Sequence, residues 1–503
     1  MRPIRRGGRR VARAFSAVVC GCVVLAGCSD GYAQSQVDRP VAQTAPSQAK
    51  VADVRLAAGN PRQSGGVVAA GGEDAVYNYV PSVMLDGGRT RMWWCSQYGS
   101  APPPGDDILY AEGPSADGPF TGPDGGAPAA VLSGAPGGFD GMHTCDPSVL
   151  RIGTTYFLYY TGAAGDHALG NAVGLATSQD GVHWTRAAGG RPILGPSHDV
   201  HRDNVYGAGQ PSVVYLDGWY YLMFTDTTGK AAGWNGAGQF LVRSHDPAFS
   251  AGVEALGPKG FGPVPSTTAS RERSIVDGFS ADLTWSGALD AFVIAHETAE
   301  GTTLTFWTRD FTEQPYRPLV IGGDWKEGPG LVRRPDGHAP LDVAGPCDRV
   351  PLDVVRATGL DATGAPTGLR HFGLDVLDAK GCATPERTAT TFDGLAMPSP
   401  ERTMDLVRGG KLVRVDRRAV AVALAGQVTD HPVAPAAGFP LAARLRAEAT
   451  VVQAEGRPLG VLLDRDILWG LPDTGIVAAN DSAVVQIPPA RWDGYPRASS
   501  LGG

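Results

Sequence analysis

Carboxylates at repeated positions are the first feature of this 503-residue chain that could do chemistry. Asp146 stands directly before Pro147-Ser148-Val149, and the same Pro-Ser-Val signature follows Val80 and Gln210. A diverged copy begins near Ser280, flanked by Asp277 and Asp282, and a fifth begins at Glu327-Gly328-Pro329. Aligned this way, Asp146 and Glu327 share the position before the signature, with Asp277 a candidate third acid. Cleaving a glycosidic bond needs one protonated carboxyl beside the leaving oxygen and one ionised carboxylate across the ring. Crowding acids into a narrow, partly dry channel separates their pKa values and supplies both states. The plainer alternatives are an Asp-Pro turn for Asp146 and a solvated loop carboxylate for Glu327. Val80 and Gln210 are uncharged where a matching acid would stand. Either a displaced acid (Asp107, Asp203 or Asp277) completes the set, or the site binds sugar without cleaving it.

The elements that must position these residues are strands. Tyr156 to Tyr160 is apolar and aromatic on both faces and follows the turn signal Ile152-Gly153, which describes a buried hairpin. Equivalent hairpins surround Asp86-Gly87-Gly88 and Asp217-Gly218. The prolines Pro81, Pro147 and Pro211 recur at a near-constant period. Each unit reads as four antiparallel strands that cannot bury both faces alone, and radial stacking of such units solves this. The expected fold is all-β: a five-bladed β-propeller over residues 73–388, then a small C-terminal β-rich accessory module over 389–503. In such a ring, equivalent positions far apart in sequence face one funnel. Tyr79, Trp234 and Gln210 are candidates for stacking on or binding a sugar there, with Asp107, Arg202 and Asp203. Arg202 pairing with Asp203 at the surface is the competing reading, and Trp93, Trp94, Tyr98 and Trp219 are expected mainly as core.

Asp146-Pro147-Ser148-Val149, Ala176-Thr177-Ser178-Gln179-Asp180-Gly181-Val182-His183-Trp184 and Glu327-Gly328-Pro329 together resemble the five-bladed glycosidases of glycoside hydrolase families 43, 32, 62 and 68. The resemblance spans roughly residues 75–340. It implies that Asp146 is similar to the family's Asp-Pro aspartate and Glu327 to its Glu-Gly-Pro general acid. It also implies an inverting enzyme that releases arabinose- or xylose-type sugars from cell-wall polysaccharide. The departures are Val80, where many relatives carry an acid, and Gln210. A glycan-binding protein on the same scaffold is the alternative they raise.

The remaining sequence sets location and partners. Arg5, Arg6, Arg9, Arg10 and Arg13 precede an apolar run ending in Leu25-Ala26-Gly27-Cys28, which resembles a lipoprotein signal. The expectation is a signal peptide at 1–27, lipid on Cys28, a flexible linker over 28–72, and anchoring to the outer face of a bacterial cell membrane. Export makes disulfides of Cys95, Cys145, Cys347 and Cys382. Cys95 ends a strand of the first blade and Cys145 starts the second, so Cys95–Cys145 and Cys347–Cys382 is the favoured pairing. No CxxC or HxxxH spacing supports a metal site, and phosphate-cradling loops are absent. No cofactor is expected, although the fold allows a structural calcium ion in the propeller channel. Net charge −8 argues against nucleic acid. The expected partners are polysaccharide or oligosaccharide and the membrane, for a monomer.

Overall fold

A computed structural model describes residues 49–70, 75–98, 104–165, 170–361, 364–464 and 466–502. Cys28 and the signal segment lie outside the described residues. The described chain is almost entirely β, with four short α-helices, Pro385–Phe392, Arg418–Leu424, Thr474–Ala479 and Pro489–Asp493. None of these is long and apolar enough to cross a membrane.

Five successive groups of strands follow one plan. The first strands of the groups are Ala75–Asp86, His143–Ile152, Ala208–Leu216, Ala281–Ser286 and Glu327–Arg333. Each pairs antiparallel with the next strand in sequence, and the rest of its sheet extends outward from there. The first strands also touch one another in cyclic order, the fifth adjoining the first. That last junction is a parallel backbone pairing, Val332 with Val83 and Arg333 with Met84, which fuses the first and fifth groups into one eight-stranded sheet. Between neighbouring sheets lie aromatic cores. Trp93 and Trp94 are fully buried there, as the alternation of their strand requires.

The Pro-Ser-Val signature has a structural cause. In four of the five strands the residue before the proline, or Gly328 in the fifth, has positive φ: Val80 (45°), Asp146 (48°), Gln210 (52°) and Gly328 (26°). The ladder register breaks there each time. A bulge leaves its extra residue unpaired, so proline, with no N–H to donate, is tolerated beside it. The serine two places on then clamps the next sheet. Ser82 Oγ accepts from the Val149 amide (3.0 Å), Ser148 Oγ from Val213 (3.0 Å) and Ser212 Oγ from Leu283 (2.8 Å). Asp282 takes the serine's place in the fourth strand, and its Oδ2 accepts from Leu331 (2.7 Å). The fifth has Gly330, where a Cβ would lie 1.8 Å from the Pro81 carbonyl oxygen, so only glycine admits the closing backbone pair.

Arg333 fills the axis inside these clamps, only 2 % of its side chain exposed. Its Nη1 donates to the carbonyls of Val213 (3.2 Å) and Leu283 (2.9 Å) and lies 3.3 Å from Asp282. Its Nη2 reaches Ser82 (3.4 Å) and Ser148 (3.3 Å). One guanidinium on the fifth strand thus bonds to the other four.

Two expectations are corrected. Residues from Lys50 onward are not free linker. Ala57–Gln63 is the outer strand of the fifth group, paired with Pro366–Leu377, and Lys50–Val51 pairs with Glu313–Gln314. Polar side chains fasten it: Arg62 Nε lies 2.9 Å from Asp353, and Asn60 donates to Asp375 (2.8 Å). The C-terminal part is also not one module with its border at 388/389, since helix Pro385–Phe392 runs through that border. Beyond it stand two five-stranded sheets with the same order of elements. Gly438-Phe439-Pro440 in the first matches Gly494-Tyr495-Pro496 in the second. They dock on the hairpin of the second sheet: Arg151 donates to the Ala423 carbonyl (3.0 Å) and Asp473 accepts from the Thr154 amide (2.7 Å).

His371 ties the ring's junction from outside. Its Nδ1 lies 2.8 Å from Asp117, in the first group, and its Nε2 2.9 Å from Asp353, in the fifth. Burial disfavours the imidazolium, but the bonds to Asp353 and Asp117 outweigh that and raise its pKa. Both nitrogens can donate only when the ring is charged.

Two predictions follow from this architecture. Arg333→Ala should cost about 3–5 kcal/mol by stranding a buried Asp282, against about 1–3 kcal/mol for Ser148→Ala, which strips one amide of its acceptor. Equal losses in urea denaturation would show that the guanidinium has no special weight. The His371 contribution is fully present below the ordinary imidazole value of about 6.5 and lost as pH rises through the raised native value. The stability gap between the wild type and His371→Gln should therefore narrow from pH 6 to pH 9, and a gap independent of pH would refute the clasp.

Candidate functional site

The bulges that interrupt the first strands also aim the residues in front of the prolines. Around the ring these are Val80, Asp146, Gln210 and Gly328, with Ser280 at the matching place in the fourth strand, which has neither the proline nor a register break. Val80 and Gly328 close the seam, since a Cβ on Gly328 would lie 2.8 Å from Val80 Cγ2. Glu327 is therefore one place earlier than the repeat alignment put it, in register with Cys145: the ladder breaks immediately after each. Its carboxylate nevertheless reaches the group formed by the second to fourth strands.

That group is a polar chain whose two parts meet at Thr161, which hydrogen-bonds Asp146 and accepts from the Gln210 backbone amide (2.8 Å). Tyr206 donates its hydroxyl hydrogen to Asp146 (3.1 Å). The Gln210 side-chain amide donates to Ser280 (2.6 Å), and Ser280 donates to Glu327 (2.9 Å). Thr225 donates to the Gln210 carbonyl oxygen (2.8 Å) and accepts from Gln239 (2.9 Å), which fixes the amide's orientation. Asp146, Gln210 and Ser280 are 4–6 % exposed, and Glu327 is half-buried.

Burial dominates the acidities. Asp146 is pushed up to about 6, chiefly by burial and further by the Asp106 charge, against hydrogen bonds from Thr161 and Tyr206. Glu327 is pushed up to about 7 by burial and by the charges of Asp146 and Glu297, with Ser280 pulling the other way. Glu297 rises to about 7 as well, its burial opposed by Arg356 and by Thr302, which hydrogen-bonds both its oxygens at 3.0 Å. Near neutral pH, Asp146 is the more ionised and Glu327 the more protonated of the pair. A carboxylic acid and a carboxylate within one electrostatic neighbourhood can donate and accept protons in turn.

The disulfides are Cys95–Cys145 and Cys347–Cys382, the favoured pairing. Cys145 Sγ lies 3.3 Å from Asp146 Oδ1, so the first disulfide sits beneath the site. Ligand atoms of Cys95, Asp106 and Cys145 come within 4.8 Å of one another, but the bonded sulfurs leave a single carboxylate and no metal set.

Asp277 faces Gly233, where a Cβ would approach its Oδ1 to 2.9 Å, in the loop carrying the half-buried Trp234. Arg202 does not turn to Asp203; it donates to the carbonyls of Thr227, Gly229 and Ala232, holding that loop. Asp203 is exposed. Asp107 is buried in the first sheet, where it accepts from the Tyr98 amide (3.0 Å). Tyr79 is buried with its hydroxyl 3.5 Å from Cys145 Sγ. The residues missed were Tyr206, Glu297, Asp106 and His143. Asp106 stands just before the strand Asp107–Gly113, so no strand periodicity singled it out.

No family model matches the chain, and no curated protein matches it. Among solved structures it is similar to a family 117 glycoside hydrolase of the marine bacterium Zobellia galactanivorans, at 13% identity over 65% of this chain and 92% of that one, TM-score 0.44. It is also similar to an α-L-arabinofuranosidase of Podospora anserina solved with cellotriose, at 12% identity over 63% and 96%, TM-score 0.38. A family 62 α-L-arabinofuranosidase catalytic domain of Coprinopsis cinerea gives 12%, 64% and 97%, TM-score 0.39. All lie below a TM-score of 0.5, too distant to carry chemistry over.

The charge coupling within the site is open to direct test. In Asp146→Asn the Glu327 carboxyl should titrate below its native value of about 7, because the charge that raises it is gone. Carboxyl-carbon NMR reads this, and an unmoved Glu327 would show that the two acids do not share a site.

Proposed function

We propose that the chain is an exported glycoside hydrolase built on a five-bladed β-propeller, with Glu327 as general acid and Asp146 as the carboxylate that activates water. The observation that carries this reading is the pair itself: two acids, Asp146 buried and Glu327 half-buried, linked through Gln210 and Ser280, with Glu327 keeping its proton to the higher pH. Glu327 gives its proton to the leaving glycosidic oxygen as the C–O bond breaks. Asp146 takes a proton from the water that adds to the sugar carbon. Arabinose- or xylose-type linkages in cell-wall polysaccharide are the proposed substrates, cleaved with inversion. Asp277 and Trp234, together at the Gly233 loop, suit contacts with the sugar better than with the reacting bond. Lipid on Cys28 is proposed to hold the enzyme on the outer face of the membrane. No cofactor is called for, and the positive charge on the axis is the guanidinium of Arg333.

The test is turnover of aryl arabinofuranosides and xylosides, then of arabinan and xylan. Glu327→Gln and Asp146→Asn should each lower kcat at least about a hundredfold, and kcat/KM should follow a bell with limbs near pH 6 and 7. Folded protein that turns over none of these sinks the proposal. Val80 and Gln210, uncharged at inner positions, favour the second reading, a glycan-binding protein. Its mark is binding without turnover that Glu327→Gln leaves unchanged.

A further inference from the structure

Beside Asp146, in the wall between the first two sheets, lies a carboxylate that the proposed reaction does not use. Asp106 is 1 % exposed. It accepts a short hydrogen bond from the Tyr77 hydroxyl, and its Oδ2 lies 3.0 Å from His143 Nδ1. The Asp106 backbone amide donates to that same nitrogen at 3.1 Å. One residue thus offers His143 Nδ1 both a donor and an acceptor. The amide serves the neutral ring, whose Nδ1 accepts, and the carboxylate serves the imidazolium, whose Nδ1 donates. The ring can change charge without changing place.

The pair is also near Asp146. An Asp106 oxygen lies within 4.8 Å of Cys145 Sγ, and that sulfur is 3.3 Å from Asp146 Oδ1. His143 and Asp146 are on one strand, three residues apart. We infer that Asp106 and His143 are a positioning pair for the proton of Asp146: the charge state of His143 sets how much of the Asp106 charge Asp146 feels. This rests on the reading of Asp146 as the working carboxylate.

The charges have definite signs. Alone, Asp106 opposes ionisation of Asp146. Protonated His143 cancels that charge and releases Asp146 to ionise. The other groups facing the pair are Tyr77, Asp107 and the two cysteines, and those facing Asp146 are Tyr79, Thr161, Tyr206, Gln210 and, more distantly, Glu327. His143 is drawn upward by Asp106 and Asp107 against its burial.

The experiment is NMR titration of the full chain without substrate, so its outcome does not depend on turnover. His143→Gln should move the Asp146 titration up by about one pH unit for a charge at such range, because the Asp106 charge is then left uncancelled. Adding Asp106→Asn removes that charge, so the double variant should return Asp146 to its wild-type value. In the wild type, which needs no substitution to fold, His143 should titrate above the ordinary imidazole value of about 6.5. An unmoved Asp146 in His143→Gln, a double variant that keeps the upward shift, or a wild-type His143 at its ordinary value would overturn the inference. Failure of the glycosidase reading shows instead as absent turnover with these shifts intact.

Discussion

The ring holds together around one buried cation. Four of its inner strands present a serine or aspartate to the next strand's backbone, and the fifth supplies Arg333, which reaches into the others. A guanidinium is planar, permanently charged and rich in donors, so it can bond in several directions at once. The desolvation this demands is large, and it is offset only because carbonyls, hydroxyls and Asp282 together surround the charge. The seam beside it tolerates no side chain at Gly330. Clamp, cation and glycine are one solution to one problem, that of closing a circle of strands with backbone groups satisfied.

The site inherits its shape from that solution. A bulge that frees each strand's N–H ladder for the clamp also turns the preceding residue into the left-handed region, which non-glycine residues occupy only when their surroundings hold them there. Asp146 and Gln210 are fixed in this way. The polar chain from Tyr206 to Glu327 then has little freedom, and its acids are held dry enough to share protons near neutrality.

Much of this was legible in the residues. Pro81, Pro147 and Pro211 marked the repeat, and the strand ends at Cys95 and Cys145 marked their disulfide. The limits have physical causes. Glu327 looked equivalent to Asp146, but Gly328 holds the bulged position before the proline and Glu327 stands one place ahead of it. The signature serine looked like decoration because a clamp to the next strand is a contact between units, invisible within either. Arg333 belongs to the one unit with neither serine nor aspartate at the clamp position, so nothing in its own repeat announced it. Ala57–Gln63 is polar and exposed, an outer strand held by Arg62 and Asn60 rather than by an apolar face, and composition alone made it look like linker. The two C-terminal sheets share their order of elements with few identical side chains, which hid the duplication.

The position of Arg333 also decides traffic. It sits at the level of the clamping serines, two residues past Asp146 along the strands, roughly 7 Å deeper at the rise of an extended chain. The docked C-terminal sheets hold the far end of the second strand pair. Passage along the axis is closed at the level of Arg333, because the channel between the inner strands is plugged by a cation bonded to all four of its neighbours.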